Sequence, residues 1–190
     1  MGSFCVAVVL LMVTSLGAAS SPGCDELVKP FVFENPQLVS VGKWIYVMGA
    51  GDPAPYHKAL GSIKSSWYDV ALTSDNQTMT LRWGDYCFGR CIHGEVNATV
   101  SGIFITFRKN LSDHKGNLLQ TCSDCMLWVD LFRNMDSTGR NLLLFTRSGK
   151  VAPKDVEIFK KQLQCLNFPQ NFHSYEDKIK LCPDNKESTE

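Results

Sequence analysis

The sequence predicts an all-β fold, an eight-stranded antiparallel up-and-down barrel with one C-terminal α-helix packed outside it. Between Gly42 and Arg147, short apolar runs alternate with turn residues at the spacing expected of a barrel or sandwich. Most of the connections have hairpin length, which favours antiparallel neighbours in chain order. After Gly149 the apolar residues recur at intervals of three and four, which is typical of a helix. No internal repeat or second core is present in the pattern, so one domain is expected.

Eight segments are the predicted strands: Trp44–Met48, Ser66–Thr73, Thr78–Trp83, Ile92–Val100, Gly102–Arg108, Leu118–Thr121, Met126–Phe132 and Asn141–Arg147. The one long connection, Gly49 to Gly61, contains Pro53 and Pro55 and is predicted to be a loop or lid. The helix is predicted from Pro153 to Leu166, with an apolar stripe formed by Val156, Phe159, Leu163 and Leu166.

The N-terminus predicts export. A nearly unbroken apolar run from Phe4 to Leu16 precedes small residues that suit signal-peptidase cleavage, so residues 1–19 are predicted to be a signal peptide. This run and every later stretch are too short to span a bilayer. The expected product is a secreted, extracellular domain over residues 20–185, followed by a disordered polar tail over residues 186–190.

Composition excludes several classes of protein. Lys and Arg number 19 and Asp and Glu number 19, which argues against a nucleic-acid binder and against a polybasic membrane-surface protein. The eight cysteines are too many for a typical reduced cytosolic protein of this size. Cleavage would remove Cys5 and leave an odd number, so at least one thiol stays unpaired within the chain. Three sequons predict glycosylation at Asn76, Asn97 and Asn110.

Two motifs resemble those of the lipocalin family. Gly42-Lys43-Trp44 resembles the family's Gly-x-Trp signature, and the run from Leu142 to Arg147 resembles its last-strand motif. The middle motif is degenerate here as Ser123-Asp124-Cys125. The chain is most similar to the group of α1-acid glycoprotein (orosomucoid) and apolipoprotein M. Within that group it resembles the fish plasma lipocalins named tributyltin-binding protein and pufferfish saxitoxin and tetrodotoxin-binding protein.

The resemblance implies structural roles for six residues. Arg147 would lie over the indole of Trp44 and close the barrel floor by cation–π attraction. Cys24 would pair with Cys165, and Cys182 would pair with either Cys87 or Cys91. The fate of Cys122 and Cys125 stays open. A competing hypothesis places Cys87, Cys91, Cys122 and Cys125 around zinc, but an oxidising export route disfavours it. No metal or organic cofactor is expected.

Strand alternation predicts which side chains face the barrel interior. Asp69, Arg82 and Asp130 are charged, and Asn97 is a sequon, so their faces are expected to point outward. The ligand-binding residues are then predicted to be Tyr46, Met48, Tyr68, Val70, Leu81, Trp83, Ile103, Ile105, Phe107, Leu127, Val129, Leu143 and Phe145. Either they enclose a small lipophilic guest, or they fill the barrel as a packed core.

The predicted function is the transport of a small, mostly hydrophobic molecule by a monomeric carrier. The resemblance adds two special ligands: an organotin such as tributyltin, or the guanidinium toxins saxitoxin and tetrodotoxin. The predicted inward set has no carboxylate, which favours the hydrophobic guest. Glu95 and Asp85, near strand ends, could still reach the mouth of the barrel, so the toxins stay an alternative. A third hypothesis is an immunomodulatory acute-phase glycoprotein that acts through its surface. No nucleophile or acid–base constellation stands out, so the protein is not expected to be an enzyme.

Overall fold

The computed structural model describes residues 23–32, 41–73, 77–109, 111–174 and 179–184, so the predicted signal peptide and the 186–190 tail lie outside the described residues. The predicted fold class is confirmed. The eight barrel strands are β1 Gly42–Asp52, β2 Ile63–Leu72, β3 Thr78–Cys87, β4 Arg90–Ser101, β5 Phe104–Lys109, β6 Ser112–Leu119, β7 Cys125–Arg133 and β8 Thr138–Thr146. Each pairs antiparallel with the next, and β1 pairs with both β2 and β8, which closes the barrel.

Three helices and a short ninth strand complete the described chain. They are α1 Cys24–Leu27, α2 Ala54–Leu60, α3 Pro153–Cys165 and β9 His173–Ser174, which pairs with β1. No helix in the described part of the chain is both long and apolar enough to cross a membrane.

Two of the predicted connections are wrong. The segment Gly49–Gly61 is not a loop, because β1 continues to Asp52 and α2 follows it, starting after Pro53. The segment between the predicted strands Gly102–Arg108 and Leu118–Thr121, expected to be a turn around Gly116, instead contains most of β6, where Gly116 lies opposite Ile105 and Asp130. A Cβ on Gly116 would fall 2.1 Å from a backbone oxygen of β7, so this glycine serves a close approach between strands.

A bulge in β1 separates two apolar cores. Tyr46 pairs with Phe145 of β8, but Met48 pairs with Leu144, so Val47 is the extra residue and the side chains change faces. Trp44 and Tyr46 therefore belong to a cluster inside the barrel. Beyond the bulge, β1 contributes to a second cluster outside it.

The outer cluster holds α3 against the barrel wall. Phe159 and Leu163 of α3 are fully buried, and they pack with Val47, Met48, Ala50, Leu127, Leu142 and Leu144 from β1, β7 and β8. Gln162, also fully buried, donates to the carbonyls of Leu27 and Gln120 at 2.8 and 3.0 Å, which ties α3 to α1 and to the closed end of the barrel. Burial of one helix face explains the predicted amphipathic period.

The closed end is sealed by Arg147 over Trp44. The guanidinium carbon lies 3.6 Å from the indole centroid, and the two terminal nitrogens donate to the carbonyls of Lys43 at 3.1 Å and Val41 at 2.7 Å. Trp44 is 4% exposed. The cation thus keeps hydrogen-bond partners while it covers the ring face.

Three disulfides join six of the cysteines: Cys24 to Cys165, Cys91 to Cys182, and Cys122 to Cys125. The expected pairing of Cys24 with Cys165 is confirmed, and of the two alternatives for Cys182 the structure has Cys91 and not Cys87. Cys91 shares the outer face of β4 with His93, whereas Cys87 shares the inward parity of Asp85 on β3. Cys87 is buried and is the free cysteine of the described chain. The four thiols of the zinc hypothesis are accordingly not available as one set.

The segment 179–184 lies across the outside of β2 to β4. Besides the Cys91–Cys182 disulfide, the indole nitrogen of Trp67 donates to the carbonyl of Cys182 at 2.8 Å. A ring nitrogen of His93 lies 2.8 Å from the carbonyl oxygen of Pro183. The tail therefore buries Trp67 on the outer wall, and this indole is not part of the interior.

We predict that Trp44→Ala lowers the free energy of unfolding by about 3–5 kcal/mol, because it removes a fully packed indole and leaves Arg147 without its ring. Urea unfolding followed by far-ultraviolet circular dichroism measures the effect. Phe88→Ala is the matched control, because Phe88 is 79% exposed, and it should change stability by no more than about 0.5 kcal/mol. Equal losses for the two variants would contradict the assigned seal.

Candidate functional site

A cavity of about 220 Å³ lies inside the barrel. Its lining comes from seven of the eight strands and from the end of α2: Leu60, Ile63, Tyr68, Val70, Met79, Leu81, Trp83, Asp85, Val96, Ile105, Phe107, Lys109, His114, Leu118, Met126, Trp128, Asp130, Asn141, Leu143 and Phe145. An eight-stranded barrel has room for side chains alone or for one small ligand. The side chains here leave space in the middle.

Most of the residues predicted to face inward do line this cavity: Tyr68, Val70, Leu81, Trp83, Ile105, Phe107, Leu143 and Phe145. Tyr46 also points inward, where its ring packs edge-on against Phe145 with centroids 5.8 Å apart, but it lies in the packed inner cluster. That these side chains bind a ligand stays a prediction.

Four predicted lining residues lie elsewhere. Met48 faces outward because the bulge at Val47 shifts the alternation of β1. Leu127 and Val129 belong to the outer cluster beneath α3, because the inward parity of β7 is the opposite of the predicted one. Ile103 lies in the turn between β4 and β5 and is not part of the lining.

The error on β7 came from Asp130, which was expected to face solvent. Asp130 is instead 4% exposed and lines the cavity together with Met126 and Trp128. A strand with apolar residues on both faces gives no period of two, so its single carboxylate was a misleading guide. The glycine opposite Asp130, Gly116, is a usable signal, because its missing Cβ leaves room for the inward ring of Trp128 at 2.6 Å.

Five polar residues of the lining form what we call the polar ring: Asp85, Lys109, His114, Asp130 and Asn141. Each lies in the half of its strand that is nearer the open end, whereas the lining toward the closed end is apolar. Asp85 on β3 and Asp130 on β7 are four places apart in the ring of eight strands, so they stand on opposite walls.

Asp85 is held by Ser66, whose hydroxyl donates to the carboxylate at 2.6 Å. Burial raises the pKa of Asp85, while the bond from Ser66 and the charges of Lys109 and His93 act in the opposite direction. The net upward shift means that the ionised carboxylate lacks the solvation it would have in water.

Asp130 is paired with His114 on the neighbouring strand. The Nδ1 atom of His114 lies 3.1 and 3.0 Å from the two carboxylate oxygens, so it donates to both. The imidazole also stacks on Phe107, with ring centroids 4.6 Å apart and an angle of 7°. These contacts fix the orientation of the carboxylate within the cavity wall.

Lys109 is the cation of the polar ring, and its ammonium lies 3.7 Å from the centroid of Trp83. Burial lowers the pKa of Lys109, and the charges of Asp85 and Asp130 partly offset that effect. Within the described residues, this ammonium makes no ion pair and no hydrogen bond. An ammonium that rests on a ring face can be displaced or can be given a partner.

Two buried polar atoms near the cavity have no hydrogen-bond partner among the described residues: the hydroxyl of Tyr46 and the Oδ1 atom of Asn141. Asn141 pairs directly with Asp130 across β7 and β8, so its free acceptor adjoins a carboxylate. Buried acceptors without a partner are costly. A guest that donates hydrogen bonds would satisfy this side of the ring.

The open end is partly covered by α2. The side chain of Leu60 enters the cavity lining, and Tyr56 packs edge-on against Phe132 at 4.6 Å. His57 stacks on His173 of β9 with ring centroids 4.2 Å apart, which fastens α2 to the chain after α3. Burial and the neighbouring His173 lower the pKa of His57.

A wider depression of about 960 Å³ adjoins the cavity and shares Phe107 and His114 with it. The ladder between β4 and β5 covers Thr99–Ser101 and Phe104–Thr106, near the closed end. Toward the open end the two strands therefore diverge, and the depression follows that gap. Its lining mixes charged residues such as Arg108, Asp113 and Arg133 with apolar residues such as Leu131 and Phe132.

Of the predicted glycosylation sites, Asn97 lies on the outer face of β4, where it is exposed and accepts a hydrogen bond from Thr80 at 3.1 Å. Asn76 and Asn110 lie outside the described residues. Use of any of the three sequons stays a prediction.

The chain is similar in structure to several solved proteins, among them the following three. The siderocalin Ex-FABP aligns with a TM-score of 0.65 and 15% identity, over 76% of this chain and 95% of its own. Aphrodisin, a sex pheromone from female hamster, has a TM-score of 0.63 and 14% identity, over 76% and 99% of the two chains. A dog lipocalin allergen has a TM-score of 0.64 and 16% identity, over 76% and 97%. The architecture is therefore that of lipocalin structures.

Sequence comparison adds little to this result. No family model matches the chain. Nuclear control of ATPase protein 2 of Schizosaccharomyces pombe (strain 972 / ATCC 24843) is 25% identical over 126 residues, which is 65% of this chain but 21% of that protein. The chain thus spans about a fifth of this relative, and the match does not bear on the cavity.

We predict that the carboxyl of Asp85 makes the folded protein bind a proton that the unfolded chain does not bind, in the interval between its raised pKa and the ordinary value of 3.8. Its contribution to the free energy of unfolding therefore increases as pH falls through that interval and is complete below the ordinary value. Asp85→Asn should remove this increase, whereas Ser66→Ala should enlarge it. Urea unfolding at a series of pH values tests this, and parallel profiles for wild type and Asp85→Asn would contradict it.

Proposed function

We propose that this protein is a secreted carrier of the lipocalin family that encloses one small, mostly hydrophobic molecule. The observation that carries the proposal is the cavity inside the closed barrel, whose lining toward the closed end is apolar and aromatic. Apolar area removed from water by such a lining contributes roughly 25 cal/mol per Å². The siderocalin, described as having dual ligand specificities, and an odorant-binding protein with a TM-score of 0.62 support small-ligand binding by analogy.

Secretion is supported by the three disulfides, which persist in oxidising compartments. Two of them close long loops, with sequence separations of 141 and 91 residues. We further propose that the protein belongs to the orosomucoid and apolipoprotein M group and is a glycosylated monomer. We propose that it has no enzymatic activity. An alternative, surface-acting glycoprotein would not need a cavity.

The polar ring gives the guest an orientation. Its apolar part would lie toward Met79, Leu81 and Phe145 near the closed end, and its polar part would reach the level of Asp130 and Asn141. This division differs from the uniformly apolar interior that the sequence predicts. The preferred guest is therefore an amphiphile with a hydrogen-bond donor at one end.

An organotin such as tributyltin fits the lower half of the cavity by its alkyl groups. Its metal centre would want a thiolate, and Cys87 lies on the inward parity of β3, two residues beyond Asp85 toward the open end. Burial and the charge of Asp85 raise the pKa of the Cys87 thiol. Tin binding at Cys87 would therefore have to displace a proton, which weakens this candidate at neutral pH.

The second candidate function is the sequestration of organic cations, including guanidinium toxins such as saxitoxin and tetrodotoxin. The specific observation in its favour is the pair of inward carboxylates, Asp85 and Asp130, on opposite walls. The rings of Trp83 and Tyr68 are stacked beside them, with centroids 6.3 Å apart. A cationic guest would have to take the position of the Lys109 ammonium over Trp83.

We predict that Trp83→Ala and Tyr68→Ala each weaken binding of a lipophilic guest by about 1–3 kcal/mol, because each removes an aromatic wall of the cavity. Titration followed by intrinsic tryptophan fluorescence for Tyr68→Ala, and by calorimetry for both variants, measures the affinity. Leu127→Ala is the control, because Leu127 is fully buried outside the barrel. It should lower stability without changing the affinity of the folded fraction. No fluorescence change with any guest would favour the surface-acting alternative.

A second prediction separates the two candidate functions. Hexylguanidinium and hexanol share one alkyl chain and differ in charge, so their affinities report the contribution of the polar ring. If the ring selects cations, Asp130→Asn should lower the affinity for hexylguanidinium more than the affinity for hexanol. Lys109→Met should raise the affinity for hexylguanidinium, because it removes the competing ammonium. Calorimetric titration with both probes decides the case. Equal changes for the two probes would rule out cation selection by this ring.

A further inference from the structure

Three turns at the open end of the barrel each present a large apolar side chain to water. Phe88 lies between β3 and β4, Leu111 between β5 and β6, and Met135 between β7 and β8. Their exposed fractions are 79%, 73% and 91%, the three highest among the exposed large apolar residues of the described chain. We call these residues the apolar tips. Single exposed apolar residues are ordinary, but three at the same end of a barrel form a pattern.

The backbone at two of the tips is held in an unfavourable conformation. Phe88 has a φ of 53° and Leu111 a φ of 66°, in the left-handed region that glycine and asparagine prefer. A bulky apolar side chain that is exposed to water makes few packing contacts, so it does not offset the cost of the positive φ. The turns would form more easily with a small polar residue, so the exposed side chains themselves need an explanation.

Each apolar tip has an exposed arginine close to it in the chain. Arg90 follows the Phe88 turn by two residues, Arg108 precedes Leu111 by three, and Arg133 precedes Met135 by two. Arg108 has an ion-pair partner in Asp113, at 3.8 Å, with both side chains mostly exposed. The net charge of the chain is zero, so this repeated pairing reflects local placement and not a basic composition.

We propose that the open end of the barrel docks on an anionic lipid surface, with the apolar tips inserted among the acyl chains and the three arginines at the level of the phosphates. This is the arrangement in which interfacial segments bind membranes. A lipid surface fits better than a protein, because the tips are convex and separate and a fluid layer can close around each of them. A protein partner would need a continuous complementary face.

Docking at this end would bring the barrel mouth to the lipid. The strands that line the cavity end at these turns, and its polar ring lies nearer this end than its apolar floor does. An amphiphile could then pass between bilayer and cavity without crossing bulk water. The docking itself does not rest on the proposed function, because guest-free protein has the same tips.

The test is flotation of guest-free full-length protein with vesicles of phosphatidylcholine, with and without phosphatidylserine. Wild type should float with the phosphatidylserine vesicles. The triple variant Phe88→Ser, Leu111→Ser, Met135→Ser should lose at least about tenfold in partition. The triple variant Arg90→Gln, Arg108→Gln, Arg133→Gln should lose the preference for phosphatidylserine. Val32→Ser is the matched control, because Val32 is 54% exposed next to the Pro30–Leu119 bridge at the closed end.

No variant should melt below wild type, because the changed side chains are exposed and the serines relieve the positive φ at Phe88 and Leu111. Asn110 precedes Leu111 in a sequon, so enzymatically deglycosylated protein should float at least as well as the glycosylated form. Failure of deglycosylated wild type to float, or equal losses for Val32→Ser and the tip variant, would overturn the proposal. Tip-dependent binding to a soluble protein with no flotation would also overturn it, and would assign the tips to a protein partner. Guest binding measured in vesicle-free buffer tests the carrier function separately.

Discussion

The arrangement of the interior depends on one irregularity, the bulge at Val47 of β1. This strand closes the barrel by pairing with both β2 and β8. Its side chains contribute to the cluster inside the barrel and to the cluster under α3. Before the bulge, Trp44 and Tyr46 point into the barrel; after it, Met48 and Ala50 point toward α3. A regular strand would place Met48 inside and withdraw it from the helix. The bulge thus allows one strand to contribute to the packed cluster inside the barrel and to the helix-packing core outside it.

A small cavity survives because the barrel is supported from outside. The outer cluster under α3 and the tail tied by Cys91–Cys182 bury apolar area that does not depend on filling the barrel. Stability can therefore be supplied by the wall and by the Arg147–Trp44 seal, while the centre stays open. The polar ring is tolerated inside the barrel because Asp85 and Asp130 each accept a hydrogen bond from a side chain of a neighbouring strand.

The sequence predicts the fold class, the number of barrel strands and the exterior helix, because hairpin-length connections and a change of period are local signals. It also predicts much of the lining on β2, β3, β5 and β8. It fails on β7, where Leu127, Val129 and Asp130 take the opposite faces from those predicted, because burial on both sides of this strand erases the alternation. It also fails at Met48, because a bulge has no residue signature here. It leaves the choice between Cys87 and Cys91 open, because the sequence does not show that these two cysteines lie on opposite faces. These are long-range facts, fixed by what packs against each strand.

The proposed guest is one small amphiphile inside the barrel, with its polar end at the polar ring. Native mass spectrometry of protein purified from its source fluid tests it most directly, because it reports bound mass, glycans and thiol state together. We expect one small-molecule equivalent per chain, released on unfolding, whose recovered mass corresponds to an apolar body with a hydrogen-bond-donating group. A chain that carries no guest from its source, and that takes up none from a lipid extract of that fluid, would contradict the claim.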